Sequence, residues 1–422
     1  MWQTERGRED APAGPTGALP PVATSRQGGS GPTGADRWFP VLAFASVAGA
    51  VIAISVAAHG LLAPMHVHHR SFQGRRWYHA FTWWDGWWYT GIARRGYRFF
   101  SMDRQSPVAF FPAYPLLMRW LAPWGGGPVL AGIGLTVASG MGAAILLHRW
   151  CARVLSLRTA RIAVLLLLLY PFAFYLMGAV YGDALFLFAT LAAFVALEYD
   201  RPVVAGLAAA LATSTRPVGV AVILGLWVVA LERKGVVRGR GPRRAQGWAE
   251  VRSRFTSADA GLLLAPVGLA GFCAFLWIRF GRPLAFMDTA GARGWDQPPG
   301  FHTWFKVHWV KAMWYGPWIT GHVGHLGMNA LATAVVAAFI PLVFRRLGVG
   351  YGVFAVVAVL LTAVSTKDFV GMGRYTLAAF PCFAVAAEWL SRRPRLLWST
   401  VAVFALGLAL LSELHARGTI VS

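Results

Sequence analysis

The residues of this chain best suited to chemistry are one carboxylate and the aromatic rings around it, in the run from Phe81 to Tyr97. Asp85 lies there among five aromatic residues: Trp83, Trp84, Trp87, Trp88 and Tyr89. A carboxylate is costly to desolvate, whereas tryptophan and tyrosine rings prefer the headgroup level of a membrane. The combination indicates a site at a membrane surface, where a lipid-linked polar group meets a carboxylate.

Two interpretations of Asp85 follow from the residues. At helical spacing Asp85 and Tyr89 share one face, which predicts a helix lying flat at the interface with its rings towards lipid. Asp85 would then only cap a turn before Gly86. In the second interpretation Asp85 is a general base that takes a proton from an attacking sugar hydroxyl. The neighbouring rings would line that site and stack on sugar or prenyl chain: Trp84, Trp87, Trp88 and Tyr89.

Three further charged residues lie at or near the ends of apolar segments. Asp183 begins an apolar run, where it would be favoured by the helix macrodipole alone or would bind substrate. Arg216, before Pro217, and Arg374, before Tyr375, would by the simpler interpretation reach out to the interface. Guanidinium groups also bind phosphate bidentately, so both arginines are candidates for a lipid phosphate, with Tyr375 beside them.

Composition places the chain among multispanning membrane proteins. Of its 422 residues 57% are hydrophobic and only 13% are charged, against about 25% charged residues in soluble domains. The net charge of +22 does not indicate nucleic acid, because the basic residues fall in short loops between apolar runs. The basic residues are 35 Arg and 4 Lys, a bias typical of a high-GC bacterial genome.

Apolar segments of membrane-spanning length predict an all-α polytopic fold with about eleven transmembrane or re-entrant helices. Residues 203–232 are apolar but interrupted by Arg216-Pro217, which predicts two short helices, since proline disfavours helix in the residue before it. The other predicted spans are 38–63, 127–147, 162–179, 184–199, 258–279, 326–344, 349–365, 375–391 and 396–413.

Charge in the loops predicts the orientation. Four basic loops fall on one side if the pair 203–232 returns to its starting side, and the positive-inside rule makes that side cytoplasmic. Residues 1–36 are predicted to be a disordered cytoplasmic tail, and 37–418 one catalytic domain. The long loops 64–126, which contains eight arginines, and 280–325 would then lie outside.

No cofactor is predicted from the residues, and a divalent metal has no supporting ligand set. The histidines of His66–His69 lack a carboxylate or cysteine at ligand spacing, and His322 and His325 are no better placed. Phosphate-binding and dinucleotide-binding glycine motifs are absent from the sequence. A soluble nucleotide-sugar donor therefore has no support.

Five motifs in order resemble the PIG-V-like mannosyltransferases, over roughly residues 38–400. They are Trp84–Tyr89 with Gly96-Tyr97, Phe111–Leu117, Tyr181–Phe186, Thr215–Gly219, and Arg374-Tyr375 with Phe380-Pro381. The resemblance implies a GT-C fold, a polyprenyl-phosphate sugar donor, typically of mannose, and an extracytoplasmic site in which Asp85 matches the acid of the first outer loop. The chain departs from the family at Asp183, where Glu is usual, and at Arg282, where Asp is usual.

The resulting expectation is an inverting glycosyltransferase of a bacterial plasma membrane that moves a sugar to a glycan, lipid or protein acceptor. Asp85 would be the base, and Arg216 and Arg374 would hold the donor phosphate. Two alternatives stay open: a lipid or glycolipid transporter, since transporters also place charges at broken helices, and a family member without catalysis that serves as an assembly subunit.

Overall fold

The computed structural model describes residues 34–65, 76–237, 247–316 and 322–420. Over these residues the chain is helical, with one isolated bridge and no strand. The predicted tail 1–36 lies outside them, except for the last three residues, which begin the first helix. The α-helices are α1 Gly34–Leu61, α2 Asp85–Arg95, α3 Ala113–Leu121, α4 Pro128–Val154, α5 Leu157–Leu169, α6 Asp183–Glu198, α7 Pro202–Thr213, α8 Gly219–Arg233, α9 Trp248–Ser253, α10 Val267–Phe280, α11 Ala285–Asp288, α12 Phe301–Trp304, α13 Val307–Tyr315, α14 His322–Ala338, α15 Ile340–Leu347, α16 Val349–Ser365, α17 Met372–Tyr375, α18 Phe380–Ser391 and α19 Pro394–Ala416.

Four stretches in the described part of the chain are long and apolar enough to cross a membrane: Asp36–Leu61, Pro128–Val154, Val323–Leu347 and Pro394–Ala416. A fifth is the 3-10 helix Ser257–Leu264 together with α10, bent by 43°. Shorter apolar helices, α7, α16 and α18, pack among them. The chain is thus an integral membrane protein, and the predicted all-α polytopic fold is confirmed.

The predicted span 162–179 is wrong in its second half. Helix α5 ends at Leu169, and Tyr170 leaves the helical region with φ −52° and ψ 134°. Pro171 explains this, because a proline disfavours helical geometry in the residue before it. The chain continues as an irregular buried segment, 170–182, that carries two tyrosines to the site described below.

Helix α6 is the central helix of the bundle. Its sequence is apolar on every side, as expected of a helix that is buried all round, and 12 of its 16 residues are buried. Sixteen residues span about 24 Å, so Asp183 and Glu198 mark two distant levels of the bundle.

The pair α7 and α8 is the broken segment predicted around Arg216. Arg216, between the two helices, donates to Asp183 at the start of α6, whereas Arg233, which ends α8, donates to the carbonyl of Leu197 at the end of α6. Helix α7 therefore runs antiparallel to α6, and α8 returns. The pair begins and ends at the same level, as the sequence predicts.

The basic loops gather at that level, called the basic end from here on. Arg158, in the first turn of α5, donates to the carbonyl of Ser391, and Arg346 at the end of α15 pairs with Glu388. The amide of Val349 donates to Glu232 at 2.7 Å. Arginines at the start of α5 and at the ends of α8 and α15 thus lie on one side of the bundle, and Asp183 lies on the other.

Candidate active site

Asp85 is the first residue of α2, and the corner before it is held by the end of α19. The indole N–H of Trp83 donates to the carbonyl of Ala416 at 3.0 Å, and that of Trp84 to the carbonyl of Thr419 at 3.3 Å. Trp84 adopts φ +56°, a conformation that a bulky side chain rarely takes. These bonds fix the direction in which α2 starts.

Tyr181 holds the same corner from the opposite side. The amide of Asp85 donates to the Tyr181 hydroxyl at 3.1 Å, and that hydroxyl donates to the carbonyl of Trp83 at 3.0 Å. Tyr181 reaches this position because it lies on the irregular segment 170–182. The backbone of Asp85 is therefore fixed independently of its carboxylate.

The carboxylate of Asp85 belongs to a cluster of four charged residues, called the acid–arginine cluster. Nη1 of Arg374 lies 3.0 Å from Oδ2 of Asp85, and Nε of Arg374 lies 3.8 Å from Oδ1 of Asp183. Arg216 donates to the same oxygen of Asp183. Neither acid acts only as a helix cap, since each carboxylate binds an arginine of another segment.

Arg374 is the most enclosed cation of the cluster. Its guanidinium carbon lies 4.9 to 5.2 Å from the ring centroids of Tyr175, Tyr181 and Tyr375, and Nη2 donates to the Tyr375 hydroxyl at 3.0 Å. Within the described residues its buried Nε has no hydrogen-bond partner. Burial alone would lower the pKa of Arg374, but Tyr375 and the two carboxylates outweigh it and hold the pKa above its usual value.

A cavity of about 10 Å³ adjoins the cluster, a volume on the scale of one water molecule. Asp183, Arg216, Arg374 and Tyr375 supply its polar lining. Arg216 also stacks over the Tyr375 ring at 4.5 Å from its centroid. The predicted residues Asp85, Asp183, Arg216, Arg374 and Tyr375 thus come together, although they are far apart in the sequence.

The predicted aromatic residues of α2 divide into inward and outward groups. Tyr89 is buried and packs edge-on against Tyr114 and Tyr181, so the expectation that its ring faces lipid is wrong. Burial raises the pKa of the Tyr89 hydroxyl above its usual value, and the residue is a neutral phenol. Trp87 keeps an exposed ring. Trp84 stabilises the corner before α2, where its indole N–H donates to the carbonyl of Thr419.

Trp88 joins the long loop 64–126 to the long loop 280–325. Its ring stacks on Phe110 with centroids 5.8 Å apart and planes 18° apart, and Trp295 lies 5.7 Å from Trp88. Because Trp88 is one turn after Asp85 on α2, these rings form an aromatic wall next to the carboxylate. Trp295 was missed in the sequence because it is one of five tryptophans in the loop 280–325, and no local signal distinguishes it from the others.

Tyr175 and His415 are the other site residues that sequence reasoning missed. Tyr175 contributes a ring to the Arg374 enclosure, and His415 lies against Tyr175 and Tyr181 with centroids 5.6 and 6.1 Å away. Both ring nitrogens of His415 are buried without a hydrogen-bond partner in the described part of the protein. A histidine in the last turn of an apolar helix reads from sequence as an interfacial residue.

The remaining expectations from the sequence concern a metal site at histidines and the position of Arg282. His66–His69 lie outside the described residues, and so does the side chain of His322. Across ranges 34–65, 76–237, 247–316 and 322–420, no three His, Cys, Asp or Glu side chains group together. Arg282 pairs with Asp288 of its own loop at 3.6 Å.

Comparison with known proteins identifies the fold. No protein-family profile and no curated protein sequence matches this chain. ArnT from Cupriavidus metallidurans bound to undecaprenyl phosphate superposes with a TM-score of 0.51 at 14% identity, over 90% of this chain and 76% of ArnT. The Archaeoglobus fulgidus oligosaccharyltransferase gives 0.48 at 14% identity, over 89% of this chain and 56% of its own. The likeness to ArnT shows the expected GT-C fold.

Proposed function

We propose that this protein is an inverting glycosyltransferase of the membrane that uses a polyprenyl-phosphate sugar, with mannose as the sugar and the PIG-V-like enzymes as its subfamily. The observation that carries the proposal is the convergence of Asp85 and Asp183 with Arg216 and Arg374. The shared fold with ArnT, whose structure contains undecaprenyl phosphate, supports a lipid-phosphate donor.

The proposed reaction uses Asp85 as the base. Its carboxylate takes the proton of an acceptor hydroxyl while the hydroxyl oxygen bonds to the anomeric carbon of the donor. The bond from that carbon to the phosphate oxygen breaks, and its electron pair leaves with the polyprenyl phosphate. Attack opposite the leaving group inverts the anomeric configuration, and protonated Asp85 returns its proton to water.

Asp85 has the exposure that this role requires. Its side chain is 31% exposed, against 8% for Arg374 and 5% for Asp183, so an acceptor meets Asp85 first. The aromatic wall of Trp88 and Trp295 stands beside it, and the side chain of Trp87 is exposed to solvent or lipid. These rings offer apolar faces for sugar or for the first prenyl units.

Arg216 is the proposed partner of the donor phosphate. It lies at the break between α7 and α8, and its side chain is 15% exposed, about twice the exposure of Arg374. A guanidinium at this place stabilises the negative charge that forms on the phosphate as the glycosidic bond breaks. Asp183, bound to both arginines, keeps Arg216 aimed into the cluster.

The proposed topology places the cluster on the extracytoplasmic face. The basic end carries the arginine-rich loops and would be cytoplasmic by the positive-inside rule, and the acid–arginine cluster lies at the opposite end of α6. A bacterial plasma membrane accords with the arginine bias. The acceptor would then be a lipid, protein or cell-wall glycan on the outer face.

The test is transfer from radiolabelled polyprenyl-phosphate mannose in membranes containing the protein, followed by identification of the labelled product. The Asp85→Asn variant is expected to lose at least about 100-fold in rate, the lower range for a general base. Asp288→Asn, a carboxylate of the second outer loop, is the matched control and should retain transfer. Undiminished transfer by D85N would refute the assignment, and lipid movement without release of polyprenyl phosphate would identify a transporter instead.

A further inference from the structure

The geometry points to Arg374 as a positioning residue for Asp85, and not as a ligand of the donor phosphate; this inference rests on the proposed function. From the sequence alone, Arg216 and Arg374 are both expected to bind the donor phosphate. The two differ, however, in what they already bind and in how far they can be reached.

Access separates the two arginines. The side chain of Arg374 is 8% exposed and lies behind Asp85, whose side chain is 31% exposed. Since Nη1 of Arg374 is bound to the Asp85 carboxylate, a phosphate arriving from the open side would have to displace the base in order to reach this guanidinium. A phosphate held in that way would remove the group that must deprotonate the acceptor.

Both terminal nitrogens of Arg374 are also committed. One terminal nitrogen binds Asp85, the other donates to the Tyr375 hydroxyl, and Nε points towards Asp183 at 3.8 Å. Three tyrosine rings enclose the remaining faces of the guanidinium. The planar fork of arginine is thereby fixed in one orientation, which suits the alignment of a carboxylate.

Asp85 accordingly has two independent supports. Tyr181 and the end of α19 fix its backbone, as shown by the bonds to the Asp85 amide and to the indole groups before it. Arg374 alone fixes the carboxylate among the described residues. Loss of Arg374 would leave α2 in place and free the carboxylate to rotate, so the defect would fall on the rate and not on donor binding.

A double-mutant cycle tests this assignment, with initial rates of transfer measured as polyprenyl-phosphate mannose is varied. Arg374→Gln should reduce the maximal rate by about 100-fold, the cost of roughly a 1 Å misplacement of reacting groups. The donor KM should change less than about threefold, since no donor contact is lost. In the Asp85→Asn background Arg374→Gln should cost less than about threefold more, because both changes act through one group.

Several outcomes would overturn the inference. If Arg374 held the phosphate, Arg374→Gln would raise the donor KM by tenfold or more, and would do so equally with Asp85 or Asn at position 85. Arg374→Lys keeps the charge and should recover at least part of the rate, whereas equal loss in both variants contradicts a positioning role. Absence of transfer in the unaltered protein would instead refute the proposed function.

Two further variants separate an effect on catalysis from an effect on folding. Tyr375→Phe keeps every charge and removes only the hydroxyl that accepts from Arg374, so it should lower the maximal rate several-fold without raising the donor KM. Arg346→Gln breaks an arginine–carboxylate pair at the basic end and should leave both parameters unchanged. An increase of donor KM in the Tyr375→Phe protein would count against the inference even if Arg374→Gln failed to fold.

Discussion

Replacement of Asp183 by alanine should destabilise the protein strongly, whether or not Asp183 takes part in catalysis. Asp183 is 5% exposed and accepts from Arg216, and Nε of Arg374 lies 3.8 Å away. Asp183→Ala removes one negative charge from a cluster of two acids and two arginines. Arg216 and Arg374 would then share one carboxylate inside the bundle.

The size of the effect follows from burial. Breaking a buried ion pair by removing one partner costs about 3–5 kcal/mol, because the other charge stays desolvated. Exposed pairs contribute only about 0.2–1 kcal/mol. The chain contains such a pair at the other end of the same helix, since Asp200 binds Arg233 while its own side chain is 82% exposed. Asp200→Ala is thus the matched control.

The assay is the free energy of unfolding in mixed detergent micelles, measured for the unaltered protein and for both variants. We expect Asp183→Ala to lower this free energy by at least about 2 kcal/mol more than Asp200→Ala. Asp183→Glu, which supplies the acid usual in PIG-V-like enzymes, should recover most of the loss. Equal effects of Asp183→Ala and Asp200→Ala would refute the reasoning that the cluster is a buried structural unit.

Three further predictions concern other residues. Arg216→Gln should raise the donor KM by about 10- to 100-fold, the value of one charge-assisted hydrogen bond, in the same transfer assay. Burial lowers the pKa of Lys306 from 10.5 to about 8, so between these pH values the unfolded chain binds more protons than the folded chain. The free energy of unfolding should therefore rise with pH in this range, by less than about 1.4 kcal/mol per pH unit. Lys306→Met should remove this dependence on pH. A Cβ at Gly206 would overlap the carbonyl of Gly261, so Gly206→Ala should cost about 1–3 kcal/mol, whereas Gly271→Ala, which meets open space, should not destabilise.

Sequence rules that act over a few residues predicted the parts of the fold that depend on neighbouring residues. The break at Arg216 follows from Pro217 acting on the preceding residue, and the basic loops follow from charge near helix ends. Pro171 obeys the same rule, yet the apolar residues after it concealed the end of α5. A hydrophobic run reports burial and does not distinguish a helix from an irregular segment enclosed by other helices.

The candidate site was predictable in its members and not in its pairings. The charges of Asp85, Asp183, Arg216 and Arg374 stood out because such groups are rare in apolar surroundings. Which arginine binds which acid depends on helix directions that no local pattern encodes. The supporting residues Tyr181 and Trp295 are aromatic residues among many others, and only their contacts distinguish them.

The link between Asp85 and Arg374 has a consequence for biogenesis. The two residues are 289 positions apart in the chain, and Trp83 is 333 positions from its acceptor Ala416. Asp85 is therefore synthesised long before Arg374, and the two can pair only after most of the later helices have entered the bilayer. Closure of so long a loop is slow, so this corner of the molecule can be completed only after nearly the whole chain has been synthesised.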